Sequence, residues 1–362
     1  MTIRYGLIGA GMMGQEHIRN LSLIDGAEVV ALADPDPGML LLANKLAGGK
    51  TQMFSNHKAL VSADICDAYV VVSPNDTHIE VLLDIMATDK PILCEKPLCT
   101  TSEDCKTVIA AAKGRKAPIW VAMEYRYMPP VQQMLIERDM GCVGTPRMMS
   151  IREHRYPFLE KVQGWNRFNE RTGGTLVEKC CHYWDLMRLV LQSDPVRVYA
   201  SAGVDVNHLN ESYEGRKPDI IDNAFVTVEF RSGARGMLDL CMFAEGSYWQ
   251  EVLSLTGEKG RVDAYIPGPA RFSKDGKERK SQIVISDRAS QEEIKQDIEV
   301  DDAILAAGDH HGSTYYQHLK FFKLVESGVG EPEVSIADAL WSVRVGEAAE
   351  LSAKTGKAID LD

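Results

Sequence analysis

Basic charge is scarce in this chain of 362 residues. Lys and Arg number 40 against 52 Asp and Glu, leaving a net charge of −12 with no basic run. That balance gives no electrostatic footprint for nucleic acid or for an anionic membrane. An anionic cofactor is still compatible, because N–H groups at a helix start hold phosphate without basic side chains. The eight cysteines include no C-x-x-C pair and no Cys/His set at zinc spacing, so no metal is expected. Cys180 and Cys181 are adjacent, a poor geometry for a disulfide, and free thiols in a reducing, cytoplasmic compartment are the reading. No apolar run reaches membrane-spanning length, and the chain is read as lacking a leader, because a strand begins within two residues of the N-terminus. Low-complexity tracts and internal repeats are absent, and 45% apolar with 25% charged residues excludes disorder.

What is present falls into two patterns. Up to about residue 122, short apolar strands alternate with helices: strands at 4–8, 28–33, 68–72, 92–94 and 119–122, and helices such as 39–47 and 79–87. Continuous apolar strands in β-α-β order predict a parallel, doubly wound sheet covered on both faces. Beyond about residue 147 the pattern turns to "RMMSIREHRY", a helix over 176–191, and two hairpins, "DNAFVTVEF-RSGA-RGMLDLCMF" and "YWQEVLSLT-GEKG-RVDAYI". "SQIVIS" and helices over 313–327 and 336–355 complete it. Runs of strands predict a largely antiparallel sheet and an α+β second domain. The expected division is 1–122 and 123–362.

Three stretches carry chemistry. In "GLIGAGMMG", Gly9, Gly11 and Gly14 fit G-x-G-x-x-G between a strand and a helix, with Met12 and Met13 opening the helix. The first glycine permits the turn, the second a close backbone approach to pyrophosphate, the third close helix–strand packing. Asp34 ends the next strand, where a carboxylate holds ribose hydroxyls and repels the extra phosphate of NADP; NAD is therefore expected. The second stretch holds "SPNDTH" and "CEKP", both at strand ends facing the ligand crevice of such a sheet, and Lys96 there can stabilise an alkoxide as hydride leaves. In the third, "GGTLVEKCCHYWDL", Glu178 and His182 stand four apart with Asp185 continuing the line on a helix read as continuous. His182 can take a hydroxyl proton with Glu178 tuning it; from spacing alone, a helical ion pair accounts for the pattern as well.

Together with "MEYRYMP", these motifs resemble the Gfo/Idh/MocA family of nicotinamide-dependent sugar and cyclitol oxidoreductases, over essentially the whole chain. The resemblance implies a Rossmann domain followed by a domain with a large open sheet, often used for oligomerisation, so a homo-oligomer, dimer or tetramer, is expected. It implies that Lys96 is the catalytic lysine and His182 the catalytic histidine of a D-x-x-x-H pattern in which Glu178 replaces the usual Asp. Lys179 beside it is unusual and alters the local charge. Ser73, Pro74, Asn75, His78 and Glu95 match segments near the nicotinamide ribose, and Tyr125 and Arg126 border cofactor and substrate.

Candidate substrate contacts are Arg152, His154, Trp165, Asn166, Arg167, His311 and Tyr315, a mix of aromatic faces and polar groups suited to a polyhydroxylated ring. Arg152, Arg155 and Arg167 leave an acidic sugar open. The expected activity is NAD-dependent oxidation of a secondary hydroxyl of a sugar, sugar derivative or cyclitol. Two rivals are a redox-neutral lyase or glycosidase that oxidises its sugar transiently, and an NAD-binding regulatory or structural protein without turnover.

Overall fold

The computed structural model describes residues 1–361. Six strands form the first sheet: β1 (Ile3–Ile8), β2 (Ala27–Ala33), β3 (Gln52–Phe54), β4 (Ala68–Val71), β5 (Ile92–Cys94) and β6 (Ile119–Val121). All pairs are parallel, in the order β3-β2-β1-β4-β5-β6. The order reverses between β1 and β4, which opens a crevice at the carboxyl ends of those strands. The connecting helices are α1 (Met12–Leu21), α2 (Pro37–Leu46), α3 (His57–Ser62), α4 (His78–Met86) and α5 (Ser102–Ala111). Local chemistry sets their starts: Asp36 accepts the Gly38 and Met39 N–H groups ahead of α2, with Pro37 at its first position.

Helix α6 (Pro129–Asp139) leads into the second sheet. Its strands are β7 (Pro146–His154), β8 (Pro195–Gly203), β9 (Asn223–Phe230), β10 (Arg235–Cys241), β11 (Trp249–Gly257), β12 (Gly260–Pro267), β13 (Ser281–Asp287), β14 (Glu293–Ile298) and β15 (Ile359–Asp360). Their order is β14-β13-β12-β11-β7-β10-β9-β8-β15, antiparallel except for the β7–β10 pair. Both expected hairpins form, β9–β10 and β11–β12. Short helices α7 (Asn169–Thr172) and α8 (Thr175–Glu178), then α9 (Cys181–Leu191), α10 (Asp302–Ala307), α11 (Ser313–Ser327) and α12 (Ile336–Thr355) complete the chain.

The expected helix over 176–191 is two helices with a break at Lys179–Cys180. Side chains hold the break open. Glu350 accepts the Leu176 N–H at 2.9 Å and the Trp184 indole donates to the Leu176 carbonyl at 2.7 Å. Two hydrophobic cores lie one under each sheet. The first core includes Phe321, Phe322, Val334, Ala339 and Val343 from the end of the chain, so α11 and α12 clamp the parallel sheet to the rest.

Candidate active site

A cleft of about 1310 Å³ runs from the crevice of the parallel sheet to the loops of the second sheet. At its floor, Gly9 turns with φ +106° and a methyl group there would meet the Val72 carbonyl, while one on Gly14 would meet the Gly9 carbonyl at 2.3 Å. Gly11 differs: nothing lies within 4 Å of its absent Cβ, and as the N-cap of α1 it makes no side-chain capping bond. The first N–H groups of a helix have no internal acceptor, so the α1 start presents free donors and an uncrowded backbone to the cleft. A dinucleotide pyrophosphate fits that cradle. Asp34 Oδ2 accepts the Ala10 N–H and its Oδ1 the Asp36 N–H, each at 2.8 Å, so the carboxylate also fixes the glycine turn. The wall around it, Asp34–Pro37, Met39 and Ser55–His57, contains no Lys or Arg.

At the other end, β5 delivers Glu95 and Lys96. Glu95 is held by His17 Nε2 at 3.0 Å, and His17 Nδ1 lies 2.6 Å from His318 Nε2 on α11. Burial opposes ionisation of Glu95, and the contacts with His17 and Lys96 more than offset it, so its carboxyl sits below the usual range. Lys96 Nζ donates to the Glu178 carbonyl at 3.1 Å. In a continuous helix that carbonyl would bond the His182 N–H; the break frees it for the lysine. Burial opposes the charge on Lys96, but Cys181, Glu95, Glu178 and Glu124 outweigh it and hold the ammonium above its usual range. His182 is driven the opposite way: burial first, then Lys96, Lys179, His310 and Arg155, keep its imidazole neutral well below the usual value. Its Nδ1 is buried without a hydrogen-bond partner, as is Glu178 Oε2. A buried polar atom needs a partner; the protein supplies none to these two, and both residues line the cleft.

Of the residues singled out in sequence, the cleft wall gathers Gly9, Gly11, Met12, Met13, Asp34, Ser73, Pro74, Asn75, Glu95, Lys96, Trp165, Asn166, Glu178, His182 and His311. Others stand behind it. The His78 ring nitrogens lie 2.9 Å from the Pro97 carbonyl and 3.0 Å from that of Ser73, so this buried ring ties the two strand-end loops together. Tyr125 stacks on His182, ring centroids 4.1 Å apart and planes within 8°. Arg126 points away from the cleft into a buried two-pronged pair with Asp185, at 2.6 and 2.5 Å, and Asp185 therefore does not extend the Glu178–His182 line. Glu178 itself meets Lys161 Nζ at 3.4 Å and makes no hydrogen bond to His182 among the described residues.

Arg152 and His154 occupy the other face of β7, His154 paired with Asp239 at 3.0 Å. The strand turns Ile151 and Glu153 inward, and Arg155 follows into the cleft wall. Arg167 is buried against Glu211 at 2.9 Å, and Tyr315 packs on the first core. Sequence reasoning missed Glu16, Glu124, Lys161 and His310 in the wall. His310 Nδ1 lies 3.2 Å from Glu124 Oε1, and Thr314 bridges Glu124 to Glu16. Burial, with Glu124 nearby, pushes the Glu16 carboxyl up to about 8. The available signal was "GDHHGSTYY", in which His311 was favoured over its neighbour.

Both parts of the chain are similar to known proteins. Residues 3–123 match the model of an oxidoreductase family's NAD-binding Rossmann fold, and residues 135–361 that family's C-terminal alpha/beta domain. Inositol 2-dehydrogenase 3 of Saccharopolyspora erythraea is 31% identical over 274 residues, 75% of each chain. Myo-inositol 2-dehydrogenase of Thermotoga maritima is 24% identical over 99% of each. An Agrobacterium radiobacter oxidoreductase, solved with NAD+, L-tartaric acid and magnesium, superposes with a TM-score of 0.81 at 19% identity, covering 99% of this chain and 98% of that one.

Proposed function

The chain belongs to the Gfo/Idh/MocA oxidoreductase family, and from that premise we propose how its cleft works. It is an NAD-dependent oxidoreductase acting on CH–OH groups, a dehydrogenase of sugars or cyclitols. The backbone of Gly9, Gly11, Met12 and Met13 would hold the cofactor pyrophosphate, Asp34 the adenosine ribose, and Ser73, Pro74, Asn75 and Glu95 the nicotinamide half. When bound, NAD supplies the hydride acceptor.

The observation that carries the reading is a lysine and a histidine brought into one wall, Lys96 Nζ aimed by the Glu178 carbonyl at 3.1 Å and the His182 ring stacked on Tyr125, in surroundings that favour the charged lysine and the neutral imidazole. Lys96 cannot serve as a base while charged; it donates a hydrogen bond to the substrate oxygen and stabilises the alkoxide. His182 has its lone pair free and takes the hydroxyl proton. The carbinol C–H electron pair leaves as hydride, the O–H pair closes the C=O bond, and the proton rests on the imidazole. The Glu178 carboxylate, in the same wall, accepts a second substrate hydroxyl and fixes the ring, a positioning task rather than tuning of the histidine.

The same reading assigns 1–122 to the cofactor and 123–362 to substrate and self-association. Tyr199, Phe225 and Met237, exposed on β8, β9 and β10, give the second sheet an apolar outer face that suits a homo-oligomer. Eight free thiols, and the absence of any helix among the described residues long and apolar enough to cross a membrane, fit a cytoplasmic enzyme. The test is NADH formation at alkaline pH across inositols, sugars and glycosides, wild type beside Lys96→Ala. A rate confined to one class, falling about 10²- to 10³-fold in the variant while NADH still binds, is expected. Cleaved products without net NADH would replace the reading with the redox-neutral one.

A further inference from the structure

Lys179 is a charge that hydride transfer does not require. It lies in the break between α8 and α9, between Glu178 and His182 in the chain, and is 4% exposed. Its ammonium donates to the Tyr125 hydroxyl, pairs with Glu153 at 2.9 Å, and lies 4.6 Å from the Tyr125 ring centroid and 5.7 Å from that of Tyr183. A lysine only donates, so the phenol oxygen must accept from it and direct its own proton elsewhere; Glu251 Oε1 stands 3.4 Å away to receive it. Gln250 holds that carboxylate oxygen in turn, at 2.8 Å. The phenol is therefore fixed from both sides, and its face is the plate on which the His182 imidazole lies, at 4.1 Å.

We propose that Lys179 is a positioning residue for His182: by anchoring Tyr125 it holds the imidazole in plane, and it sets a cation rather than a carboxylate behind that ring. The proposal rests on the reading of His182 as the base. The groups around the ring support it from every side. Lys96 and Glu95 come from the end of β5, Glu178 from α8, and Lys161 from the loop after β7. Glu124 sits in the turn after β6 and His310 in the loop before α11. Glu153 comes from β7 and Arg155 from just past its end, Glu251 from β11, and Asp185 from α9 itself.

The carboxylates are engaged elsewhere. His17 holds Glu95, Lys161 meets Glu178, and Arg126 takes Asp185. Ser313 and Thr314 hold Glu124, and Lys179 and Arg155 share Glu153. No hydrogen bond from any of them to His182 exists among the described residues, so an imidazolium there would face Lys96, Lys179 and Arg155 with no carboxylate bonded to it. In place of a carboxylate that would favour the charged ring, this chain puts a cation one phenol away.

The experiment is the pH dependence of kcat/KM for oxidation of the best substrate, with wild type, Lys179→Gln, Lys179→Arg and His182→Ala compared. Removing one of the nearby cations should move the acid limb of the Lys179→Gln profile upward by about one pH unit or more. Lys179→Arg should return it to the wild-type position. A folded Lys179→Gln enzyme whose rate falls by one factor at every pH, its limb unmoved, would overturn the proposal and leave the lysine structural. Should that variant not fold, Tyr125→Phe keeps the ring and deletes the anchored hydroxyl. A lower kcat with KM little changed is then expected, and an unchanged kcat refutes the anchoring. A His182→Ala enzyme as fast as wild type would reject the base itself, an outcome separable from both.

Discussion

The three glycines of the first turn look interchangeable in sequence, and the structure separates them. A methyl on Gly14 would stand 2.3 Å from the Gly9 carbonyl oxygen, a backbone atom that cannot step aside. The helix-propensity gain of alanine is about 1 kcal/mol, while overpacking against fixed backbone costs about 1–3 kcal/mol and sometimes more. Gly14→Ala should therefore lose about 2 kcal/mol at the severe end and a few degrees in Tm. Gly11 has open space, and its φ of −70° and ψ of −160° suit alanine. Losing glycine at an N-cap costs at most about 1 kcal/mol, offset by about 0.4–1 kcal/mol from a stiffer unfolded chain. Gly11→Ala should melt like wild type. The same methyl points into the cleft where the pyrophosphate must approach the backbone, and about 1–3 kcal/mol of overpacking there is roughly a 10- to 100-fold loss of NADH affinity. Thermal melts and calorimetric NADH titration of both variants check this. A Gly11→Ala protein that binds NADH within about twofold of wild type would refute the placement of the cofactor on this loop.

Arg126→Met should cost about 3–5 kcal/mol by leaving Asp185 buried and unpaired; in whatever folds, the KM for NAD should match wild type, because the arginine faces away from the cleft. Steady-state kinetics beside denaturant unfolding separate the two effects. Glu350 is half-buried behind α8, and the loss of water around its carboxyl raises it from 4.5 to about 7. A carboxyl with a raised folded-state value is best accommodated when protonated, so its full stability is present below about pH 4.5 and is lost as pH rises through about 7. Glu350→Gln keeps an oxygen for the Leu176 N–H and removes the charge. It should flatten the decline in Tm between those pH values and gain up to about 3 kcal/mol at pH 8; an unchanged pH profile of Tm would contradict the assignment.

The parallel sheet was legible because strands buried on both faces read as apolar runs; β4 is apolar and buried throughout, and β1 departs from this only at exposed Arg4. Two strands gave no such signal. β3 has three residues, and β14, "EIKQDI", is exposed along nearly its whole length, so nothing in its pattern marks a face. The faces of β7 were misassigned for a related reason. "SIREHR" carries charge at successive positions, and of the inward pair Arg155 meets Glu153 at 3.4 Å while Glu153 is completed by Lys179, 26 residues away in the chain. Arg126 and Asp185 are likewise separated by 59 positions. Local periodicity does not encode such pairings, whereas the glycine turn and the E-K-P stretch are local and were read in place.

The break at Lys179–Cys180 is the feature that sequence conceals most fully, since "TLVEKCCHYW" contains neither Gly nor Pro and reads as helix. Its cause lies in contacts with side chains outside the turn. The Leu176 carbonyl, which in a straight helix would bond the Cys180 N–H, receives the Trp184 indole instead, and Cys180 reaches back to Thr175 at 3.3 Å. The displaced turn leaves the Glu178 carbonyl to Lys96 Nζ. Trp184→Phe tests whether the break serves the chemistry. An aromatic ring is kept, but three ring atoms and the indole donor are lost, so a small cavity adds to the buried carbonyl left unsatisfied, which alone costs about 1–3 kcal/mol. If α8 can then relax toward a continuous helix, the Glu178 carbonyl turns to the His182 N–H and Lys96 loses its orienting acceptor. The expected enzyme folds with reduced stability, binds NADH normally and loses kcat about tenfold or more, since misplacing a catalytic group by an ångström costs that much. A Trp184→Phe protein that is destabilised as expected yet turns over at the wild-type rate would show that Lys96 is oriented without the break, and that the two short helices are a packing solution only.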